Sequence, residues 1–320
     1  MFILKKPNIF FFIFFCFAFL VSIFFMNSNS QNLEAVSSVR ASFISEDSLF
    51  RPLKKNNAPD LQINATQALS VLIIPETGTE KILFQKNTNN ADPIASMSKL
   101  MTAIVVIEQY DLEKKIFLTP DQVSALVATG GNIFSGQAIL IKNLLTIMLI
   151  ESNNVAADIL SEQMATGKFV NLMNQKAKDL NLKKAVFFNP SGLTEEDFKM
   201  NQASADDLKK IIIYIIKNHS LLVEICSIQS IDYYINGHYY KKLENTNALL
   251  KKGPEYLWGK TGYTKEANGC IISVSKKPFF SPFQSKTAYI INIIMGADGK
   301  TSRFIEAEKL ENWITNSFIW

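Results

Sequence analysis

The sequence predicts an α+β protein, with a sheet-containing body and a helical subdomain inserted into it. Strand-like segments lie at both ends of the body: "QALSVLIIPETGTEKILFQK" near the start, "GCIISVS" and "TAYIINIIMGA" near the end. Helix-like segments fill the interval from Ser96 to about His219. Strands before and after a run of helices are typical of α+β domains, so the interval is expected to form the inserted helical part.

Each element has its own pattern. The first two strands flank a turn at Pro75 to Gly78. "IDYYINGHYYKK" predicts a hairpin, because the Asn-Gly pair at 236–237 favours a two-residue turn. The final predicted helix has an apolar side expected to pack on the sheet and a polar side carrying Glu306, Glu308 and Glu311. The interval itself has the helical period in "SKLMTAIVVIEQY", "IKNLLTIMLIESNNVAADILSEQM", "FVNLMNQKAKDL" and "ADDLKKIIIYIIKN".

The amino terminus predicts export. Lys5 and Lys6 precede an almost unbroken apolar run at residues 9–26, which fits either a secretory signal or an uncleaved membrane anchor. Residues 27–62 are rich in Ser, Asn and mixed charge, and are expected to be a polar linker. The remaining residues, 63–320, form the body.

Charge and composition exclude several functional classes. The formal net charge of +4 is too small to indicate nucleic-acid binding, and no basic stripe with interleaved aromatic residues occurs. His219 and His238 are the only histidines, which excludes a histidine-rich metal site and leaves a Ser-His-Asp triad dependent on one of these two. Cys226 and Cys270 are expected to be buried thiols, with a disulfide between them as the alternative.

The stretch "ASMSKLMTA" contains a candidate nucleophile. Ser96 and Lys99 are three residues apart, so on a helix they share a face. A serine hydroxyl needs a base within hydrogen-bond reach, and a lysine serves only if burial and a nearby cation lower its pKa. The spacing is weak by itself, because it recurs at Ser273 to Lys276, and on this pair alone a helix N-cap or first-turn residue is the preferred interpretation of Ser96. Ser98 has no base at that spacing and is the weaker candidate.

Two further stretches strengthen the interpretation. "ESNNVAAD" places Ser152 and Asn154 between two predicted helices, where they suit a proton relay and a contact to a substrate amide. "WGKTGYT" places Lys260, Thr261 and Gly262 at the start of a predicted strand. Lys260 is the expected second cation, and the glycine allows a ligand backbone to approach the strand closely.

Ser-x-x-Lys, Ser-x-Asn and Lys-Thr-Gly, in this order, resemble the motifs of penicillin-binding proteins and serine β-lactamases. The stretches "FFNPSGL", "NTNALL", "KTGYT" and "RFIEAEKL" narrow the resemblance to the D-alanyl-D-alanine carboxypeptidases among the low-molecular-mass penicillin-binding proteins. The resemblance extends from about Ala68 to Phe318. It implies a mainly antiparallel sheet flanked by helices, with the active site between the sheet and the helical subdomain, and it implies neither a metal nor a cofactor.

The resemblance also implies roles. Ser96 would attack the penultimate D-Ala carbonyl of a peptidoglycan stem peptide that ends in D-Ala-D-Ala, Lys99 would accept its proton, and water would hydrolyse the acyl-enzyme. Ser152 and Lys260 would relay protons. β-Lactam antibiotics would be covalent inhibitors.

Other residues would bind the substrate. The backbone N–H groups of Ser96 and Tyr263 would form an oxyanion hole. Lys260 and Thr261 would bind the terminal carboxylate. Arg303 matches an arginine of the family that is assigned to the same carboxylate, although a solvated residue at a helix start is the alternative.

Some positions depart from the family pattern. The chain has "SNNVA" where Ser-Gly-Asn-Asp-Ala is usual, which introduces Asn153 and Val155, and it has Asn268 where a glycine is usual. It continues for about 60 residues after Lys260, and the second β-rich domain that many relatives carry is not expected. This short form resembles the subgroup that cuts peptidoglycan cross-links as D,D-endopeptidases.

The sequence therefore predicts an exported, periplasmic serine D,D-carboxypeptidase, and residues 9–26 would tether it to the inner membrane if they are retained. A D,D-endopeptidase is the alternative. A β-lactamase is a further one, for which no glutamate is identified to drive deacylation. A catalytically silent module that binds the cell wall is the alternative from another class.

Overall fold

The computed structural model describes residues 52–133, 136–195, 197–281 and 284–320. The predicted signal or anchor at 1–26 and the first part of the predicted linker lie outside these residues. None of the helices in the described ranges has the combination of length and apolar character that crossing a bilayer requires. Two compact units are distinguished, one of residues 59–316 and a small one whose described residues are 52–58 and 317–320.

The strands of the described residues are β1 (Leu53–Lys54), β2 (Gln67–Ile74), β3 (Thr79–Lys86), β4 (Asp92–Pro93), β5 (Lys115–Phe117), β6 (Ala138–Leu140), β7 (Gln202–Ala203), β8 (Ser230–Ile235), β9 (His238–Glu244), β10 (Tyr256–Thr264), β11 (Asn268–Ser281), β12 (Gln284–Ala297) and β13 (Phe318–Ile319). The α-helices are α1 (Lys99–Gln109), α2 (Pro120–Ala128), α3 (Ile141–Ile150), α4 (Asn154–Ser161), α5 (Lys168–Asp179), α6 (Ala205–Asn218), α7 (Ser220–Ser227) and α8 (Gly299–Ser317). Two short 3₁₀ turns span Ala95–Ser98 and Ala248–Lys251.

The small unit is a two-stranded pairing. β1 runs antiparallel to β13, with Leu53 opposite Ile319. The backbone N–H of Lys55 donates to the carbonyl of Ser317 at 2.8 Å. The last part of the segment predicted as a polar linker, residues 27–62, therefore contains regular structure.

The large unit is built on a five-stranded antiparallel sheet in the order β10-β11-β12-β2-β3. β2 and β12 lie next to each other although they come from opposite ends of the unit. This pairing is the one expected when a helical segment is inserted between strands of one sheet. β10 is an edge strand of the sheet, so one of its long sides is not used for sheet hydrogen bonds.

Both faces of the sheet are covered. Every residue of β2 is buried, and because side chains alternate across a strand, two layers must cover it. Leu69, Val71 and Ile73 join the core that includes the helices between β3 and β10. Ser70 points to the opposite face, where it stands in register with Asn292 of β12.

The helical part packs around α1 and α3. Eight of the ten residues of α3 are buried, as expected for a helix that is mostly apolar. α3 contacts α1 and α4, α1 also contacts α5, and α6 lies against β2 and β12. These contacts bring the start of α1 next to β10, where the 3₁₀ turn at Ala95–Ser98 meets that strand.

α8 covers the second face of the sheet, as predicted, but its polar side differs from the expectation. Glu306 and Glu311 are buried. Glu311 accepts a hydrogen bond from the Asn292 side chain at 2.6 Å and one from the Ser275 hydroxyl at 3.5 Å. Glu306 accepts one from the backbone N–H of Asn64 at 3.0 Å. Polar residues on the sheet face explain why Glu311 points inward, and a backbone N–H of the segment before β2 does the same for Glu306.

The predicted long elements are confirmed, including the turn at residues 75–78 and the Asn-Gly hairpin between β8 and β9. Ser96 is an exception, since it lies in a 3₁₀ turn before α1 and not in the helix itself. The short pairs β4–β7 and β5–β6 have no counterpart in the prediction. Strands of two or three residues are too short to produce a detectable period.

A stability test follows from the packing of α8. Leu310 is fully buried, whereas Ile305 on the same helix is 58% exposed. We expect Leu310→Ala to lower the free energy of unfolding by about 2–5 kcal/mol, because it leaves a cavity. Ile305→Ala should change it by no more than about 0.5 kcal/mol.

The measurement is urea unfolding of both variants beside the wild type. Equal losses for the two substitutions would contradict the packing of α8 described above.

Candidate active site

The turn at Ala95–Ser98 separates its two serines. Ser96 is half-buried and lines a cleft. Ser98 is fully buried, and its hydroxyl donates to the Ala95 carbonyl at 2.7 Å. Ala95 has a positive φ of 46°, a left-handed conformation that is uncommon outside glycine. Of the two hydroxyls, Ser96 is therefore the one that reaches the cleft.

Lys99 lies one turn later and is buried. Its Nζ is 2.9 Å from the Ser96 Oγ. It also donates to Asn154 Oδ1 at 2.7 Å and to the Ser191 carbonyl at 2.6 Å. Burial lowers the pKa of Lys99 well below that of a free lysine, the charge of Lys260 lowers it further, and Asp158 opposes both.

Lys260 is the expected second cation. It is buried in β10, and its Nζ donates to the Ser152 hydroxyl at 2.7 Å and to the Thr261 carbonyl at 2.9 Å. Burial lowers the pKa of Lys260 to about 7, and the nearby Arg303 also lowers it. Each of the two buried lysines is thus hydrogen-bonded to a serine hydroxyl that lines the cleft.

Ser152 and Asn154 lie where α3 ends and α4 begins. Ser152 has a positive φ of 59°. The side chain of Asn153 caps α4 by accepting from the Ala156 N–H at 2.9 Å, and it donates to the Thr129 hydroxyl at 3.1 Å. The usual glycine of the family is thus replaced by a helix cap that links α4 to the end of α2.

The Lys-Thr-Gly segment forms the other wall of the cleft. The Thr261 hydroxyl is 2.6 Å from the hydroxyl of Thr246. Gly262 passes so close to the serine turn that an added Cβ would lie 3.1 Å from the Ser96 nitrogen and 2.9 Å from the Ile94 carbonyl. This glycine therefore lets the serine turn approach the strand, and the prediction that it also admits a ligand backbone stays a prediction.

Arg303 and Tyr263 complete this wall. Arg303 is buried, and its Nη1 donates to the Gly262 carbonyl at 2.7 Å, so it is not a solvated residue at a helix start. Tyr263 is exposed and lines the cleft. The cleft has a volume of about 440 Å³. It is lined by Ser96, Glu151, Ser152, Asn154, Leu193, Thr246, Ala248, Thr261, Gly262, Tyr263, Lys300, Thr301, Arg303 and Phe304.

The structure therefore brings together all nine residues predicted for the site. Seven of them line the cleft: Ser96, Ser152, Asn154, Thr261, Gly262, Tyr263 and Arg303. The other two, Lys99 and Lys260, lie behind the cleft and are bonded to Ser96 and Ser152 respectively.

Some residues of the site were not identified from the sequence. Ser191 contributes a backbone carbonyl, for which the residue type gives no signal. Asp158, whose pKa burial raises to about 6, interacts with Lys99. It lies four residues after Asn154 on α4, so helical spacing places it on the same face and would have been the signal.

The cysteines and histidines lie elsewhere in the fold. Cys226 and Cys270 are buried and unpaired, as expected, and no disulfide joins them. The His219 ring lies 3.1 Å from Glu108, and its side chain is largely buried. His238 is exposed beside the hairpin turn. Neither histidine lines the cleft.

Known proteins resemble this chain in sequence. The family profile described as D-alanyl-D-alanine carboxypeptidase matches residues 54–298. The D-alanyl-D-alanine carboxypeptidase DacF of Bacillus subtilis (strain 168) is 34% identical over 221 residues, which are 67% of this chain and 55% of DacF. A D-alanyl-D-alanine endopeptidase of Escherichia coli (strain K12) is 28% identical over 253 residues, 76% of each chain. The chain thus spans about half the length of DacF and about three quarters of the endopeptidase.

The fold is likewise similar to solved structures. Penicillin-binding protein D2 of Listeria monocytogenes, in its cefotaxime-bound form, superposes with a TM-score of 0.66 and 29% sequence identity, covering 81% of this chain and 100% of that one. Its ampicillin-bound form is equally similar. These structures confirm the predicted fold class. Because the family match also extends over most of the sequence, the chain belongs to the D-alanyl-D-alanine carboxypeptidase family.

Proposed function

We propose that this protein is a serine D,D-peptidase that removes the terminal D-Ala from peptidoglycan stem peptides through an acyl-enzyme on Ser96. The observation that carries the proposal is the 2.9 Å approach of the buried Lys99 amine to the Ser96 hydroxyl. Family membership supports the same reaction class. The catalytic domain would span residues 63–320.

The partners of Lys99 favour its action as a base. A neutral amine has two N–H bonds and one lone pair. The Asn154 Oδ1 and the Ser191 carbonyl only accept hydrogen bonds, so they take the two N–H groups. The lone pair then faces the Ser96 hydroxyl, which is the third partner. The lowered pKa of Lys99 supplies this neutral form at a pH where a free lysine is charged.

Acylation then proceeds as follows. Ser96 Oγ attacks the carbonyl carbon of the penultimate D-Ala and gives its proton to Lys99. The peptide C–N bond breaks, and the leaving D-Ala nitrogen receives a proton from Lys260 through the Ser152 hydroxyl, to which Lys260 is hydrogen-bonded. Water then attacks the ester carbon and gives a proton to Lys260 through Ser152. The Lys99 ammonium returns its proton to Ser96 Oγ as the ester bond breaks, so both lysines and the Ser96 hydroxyl are restored.

The negative charge that develops on the substrate carbonyl oxygen requires hydrogen-bond donors. The backbone N–H groups of Ser96 and Tyr263 are proposed as the oxyanion hole. The close approach of Gly262 to the Ser96 nitrogen supports this assignment, because it places the two backbone segments side by side. Such preorganised donors stabilise the charge without reorganisation of solvent.

The same wall is suited to a carboxylate. Thr261 and Arg303 line this part of the cleft and supply a hydroxyl and a positive charge, and Lys260 behind them supplies a second positive charge when it is protonated. Asn154 is proposed to hold the substrate amide. The substrate would then lie between β10 and the Ser152 turn, with its free carboxyl end toward Arg303.

The exact bond cut has two candidates. A carboxypeptidase activity is proposed first and a D,D-endopeptidase activity second, since relatives named for each occur at comparable similarity. A β-lactamase activity is less favoured. Among the described residues that line the cleft, Glu151 supplies the only carboxylate, and it is paired with Lys241 at 2.9 Å. A catalytically silent module that only binds the cell wall would not need the buried Lys99 amine within hydrogen-bond distance of the Ser96 hydroxyl.

The substrate also suggests where the protein acts. Peptidoglycan lies outside the cytoplasmic membrane, so an exported, periplasmic location is proposed. The apolar run at residues 9–26 supports export, and its retention would anchor the protein in the inner membrane.

Covalent labelling tests the nucleophile. We expect a labelled penicillin to form a stable adduct on Ser96, and Ser96→Ala to abolish it, because Ser98 is buried and bonded to Ala95. Ser98→Ala is the matched control and should retain labelling. Peptide mass mapping locates the adduct. An adduct elsewhere, or its absence from folded wild-type protein, would contradict the proposal, and rapid turnover of the drug would favour the β-lactamase.

The pH dependence tests the base. Because the neutral form of Lys99 is needed, the acylation rate should fall as pH decreases through the lowered pKa of Lys99, by about tenfold per pH unit below it. Lys260→Gln removes a charge that lowers this pKa, so the acidic limb should move to higher pH whatever the loss in overall rate.

The measurement is the rate of penicillin acylation between pH 5 and pH 9, with folding checked by circular dichroism. An acidic limb at the same pH in both proteins would refute Lys99 as the base.

Substrate choice separates the two activities. The purified protein is incubated with a stem pentapeptide and with cross-linked muropeptides, and the products are resolved by mass spectrometry. We expect release of D-Ala from the pentapeptide. Cleavage of the cross-linked substrate with an intact pentapeptide would instead identify an endopeptidase.

A further inference from the structure

The turn that carries Ser152 has an unfavourable backbone conformation. Ser152 has φ of 59°, a region that serine rarely occupies. Such a conformation persists only when the surrounding structure determines it. Its hydroxyl must also remain 2.7 Å from Lys260 Nζ for the proton relay. The bonds that hold this turn are therefore part of the working site.

We propose that Lys241 is a positioning residue that holds Ser152 in this conformation. Lys241 lies on β9, outside the three motifs. Its Nζ pairs with Glu151 Oε2 at 2.9 Å and donates to the Thr129 carbonyl at 2.7 Å. Glu151 directly precedes Ser152. The ammonium thus joins three elements: the strand β9, the end of α2 and the turn after α3.

A second contact closes a ring around Ser152. On its other side, Asn153 donates to the Thr129 hydroxyl at 3.1 Å. The two residues that flank Ser152 are therefore both tied to Thr129, one through Lys241 and one directly. Thr129 is itself fixed, because its hydroxyl donates to the Leu126 carbonyl at 2.7 Å.

The location of the pair suits this role. Lys241 and Glu151 have side chains that are only 17% and 18% exposed. They line a cavity of about 390 Å³ that also includes Ser152 and Asn154 and so adjoins the substrate cleft. An ion pair with little solvent exposure is screened less by water than an exposed pair, which contributes little to stability. The site gains rigidity at the point where the backbone is strained.

This inference rests on the proposed function, since it assigns Lys241 a part in the same reaction. Without Lys241, Glu151 loses its partner and the turn is free to relax toward a more favourable φ. The Ser152 hydroxyl would then move away from Lys260. The loss should affect the chemical step, because Lys241 itself lies outside the residues that line the main cleft.

The test compares Lys241→Met with two matched variants. Lys241→Arg keeps the charge and the donors. Lys242→Met removes a lysine at the next position, where the side chain is 56% exposed and pairs with Glu244. For each protein, the penicillin acylation rate, the kcat and KM for a stem pentapeptide, and the melting temperature are measured.

We expect Lys241→Met to lower kcat roughly 10- to 100-fold, as misplacement of a reacting group does. KM should change by less than about threefold, since the carboxylate-binding residues stay in place. Lys241→Arg should restore most of the rate, and Lys242→Met should behave as wild type. A merely structural residue would lower the melting temperature without this separation of kcat from KM.

The inference is overturned if Lys241→Met keeps kcat within about twofold of wild type, or if its loss follows the folded fraction alone. If Lys241→Met does not fold, Glu151→Gln replaces it, since it weakens the same pair while keeping the shape, and an unchanged kcat then rejects the inference. Wild-type protein without any penicillin adduct or peptidase activity would instead reject the proposed function.

Discussion

The burial of the Lys99 amine is the constraint on which the rest of the site depends. A buried amine must find hydrogen-bond partners, because an unpaired polar group inside a protein is costly. Its three hydrogen-bond partners come from separate parts of the chain: the Ser96 turn, the start of α4 at Asn154 and the loop at Ser191. The helical part and the serine turn must therefore be assembled before this lysine is satisfied. The same burial lowers its pKa, so one packing arrangement provides both position and reactivity.

The second requirement is close contact between the edge of the sheet and the serine turn. Two glycines permit it. An added Cβ at Gly192 would lie 2.0 Å from the Ala95 carbonyl, and one at Gly262 would approach the Ser96 nitrogen. Ala95, which has a positive φ, is therefore packed between Gly192 and Gly262. Because β10 is an edge strand, its open side is available to the turn and to an extended ligand. The cleft is the space left between this strand and the Ser152 turn.

Much of this arrangement was predictable from side-chain chemistry. The ordered set of three motifs, and the family resemblance that it carries, identified Ser96, Lys99 and Lys260 as the reacting serine, its base and the second cation. The supporting contacts were not predictable, since they use backbone atoms or residues with no motif. The Ser191 carbonyl and the pairing of Lys241 with Glu151 are of this kind. Asn268, which replaces the usual glycine, has φ of 53°, so it adopts the conformation that asparagine tolerates best after glycine.

The polar row on the sheet face beneath α8 has a consequence for strand alignment. β2 and β12 are apolar along most of their length. A shift of either strand by two residues would therefore still place apolar side chains on the same face of the sheet. Ser70, Asn292 and Ser273 stand in register across three strands, and Glu311 binds the middle one. A two-residue slip of β12 would bring Ile290 or Ile294 to the place of Asn292 and leave the carboxylate without its amide. This polar row therefore favours the observed alignment of β2 and β12 over alignments shifted by two residues. Because β11 pairs with both β12 and β10, the same row also fixes the position of β10 relative to Ser96.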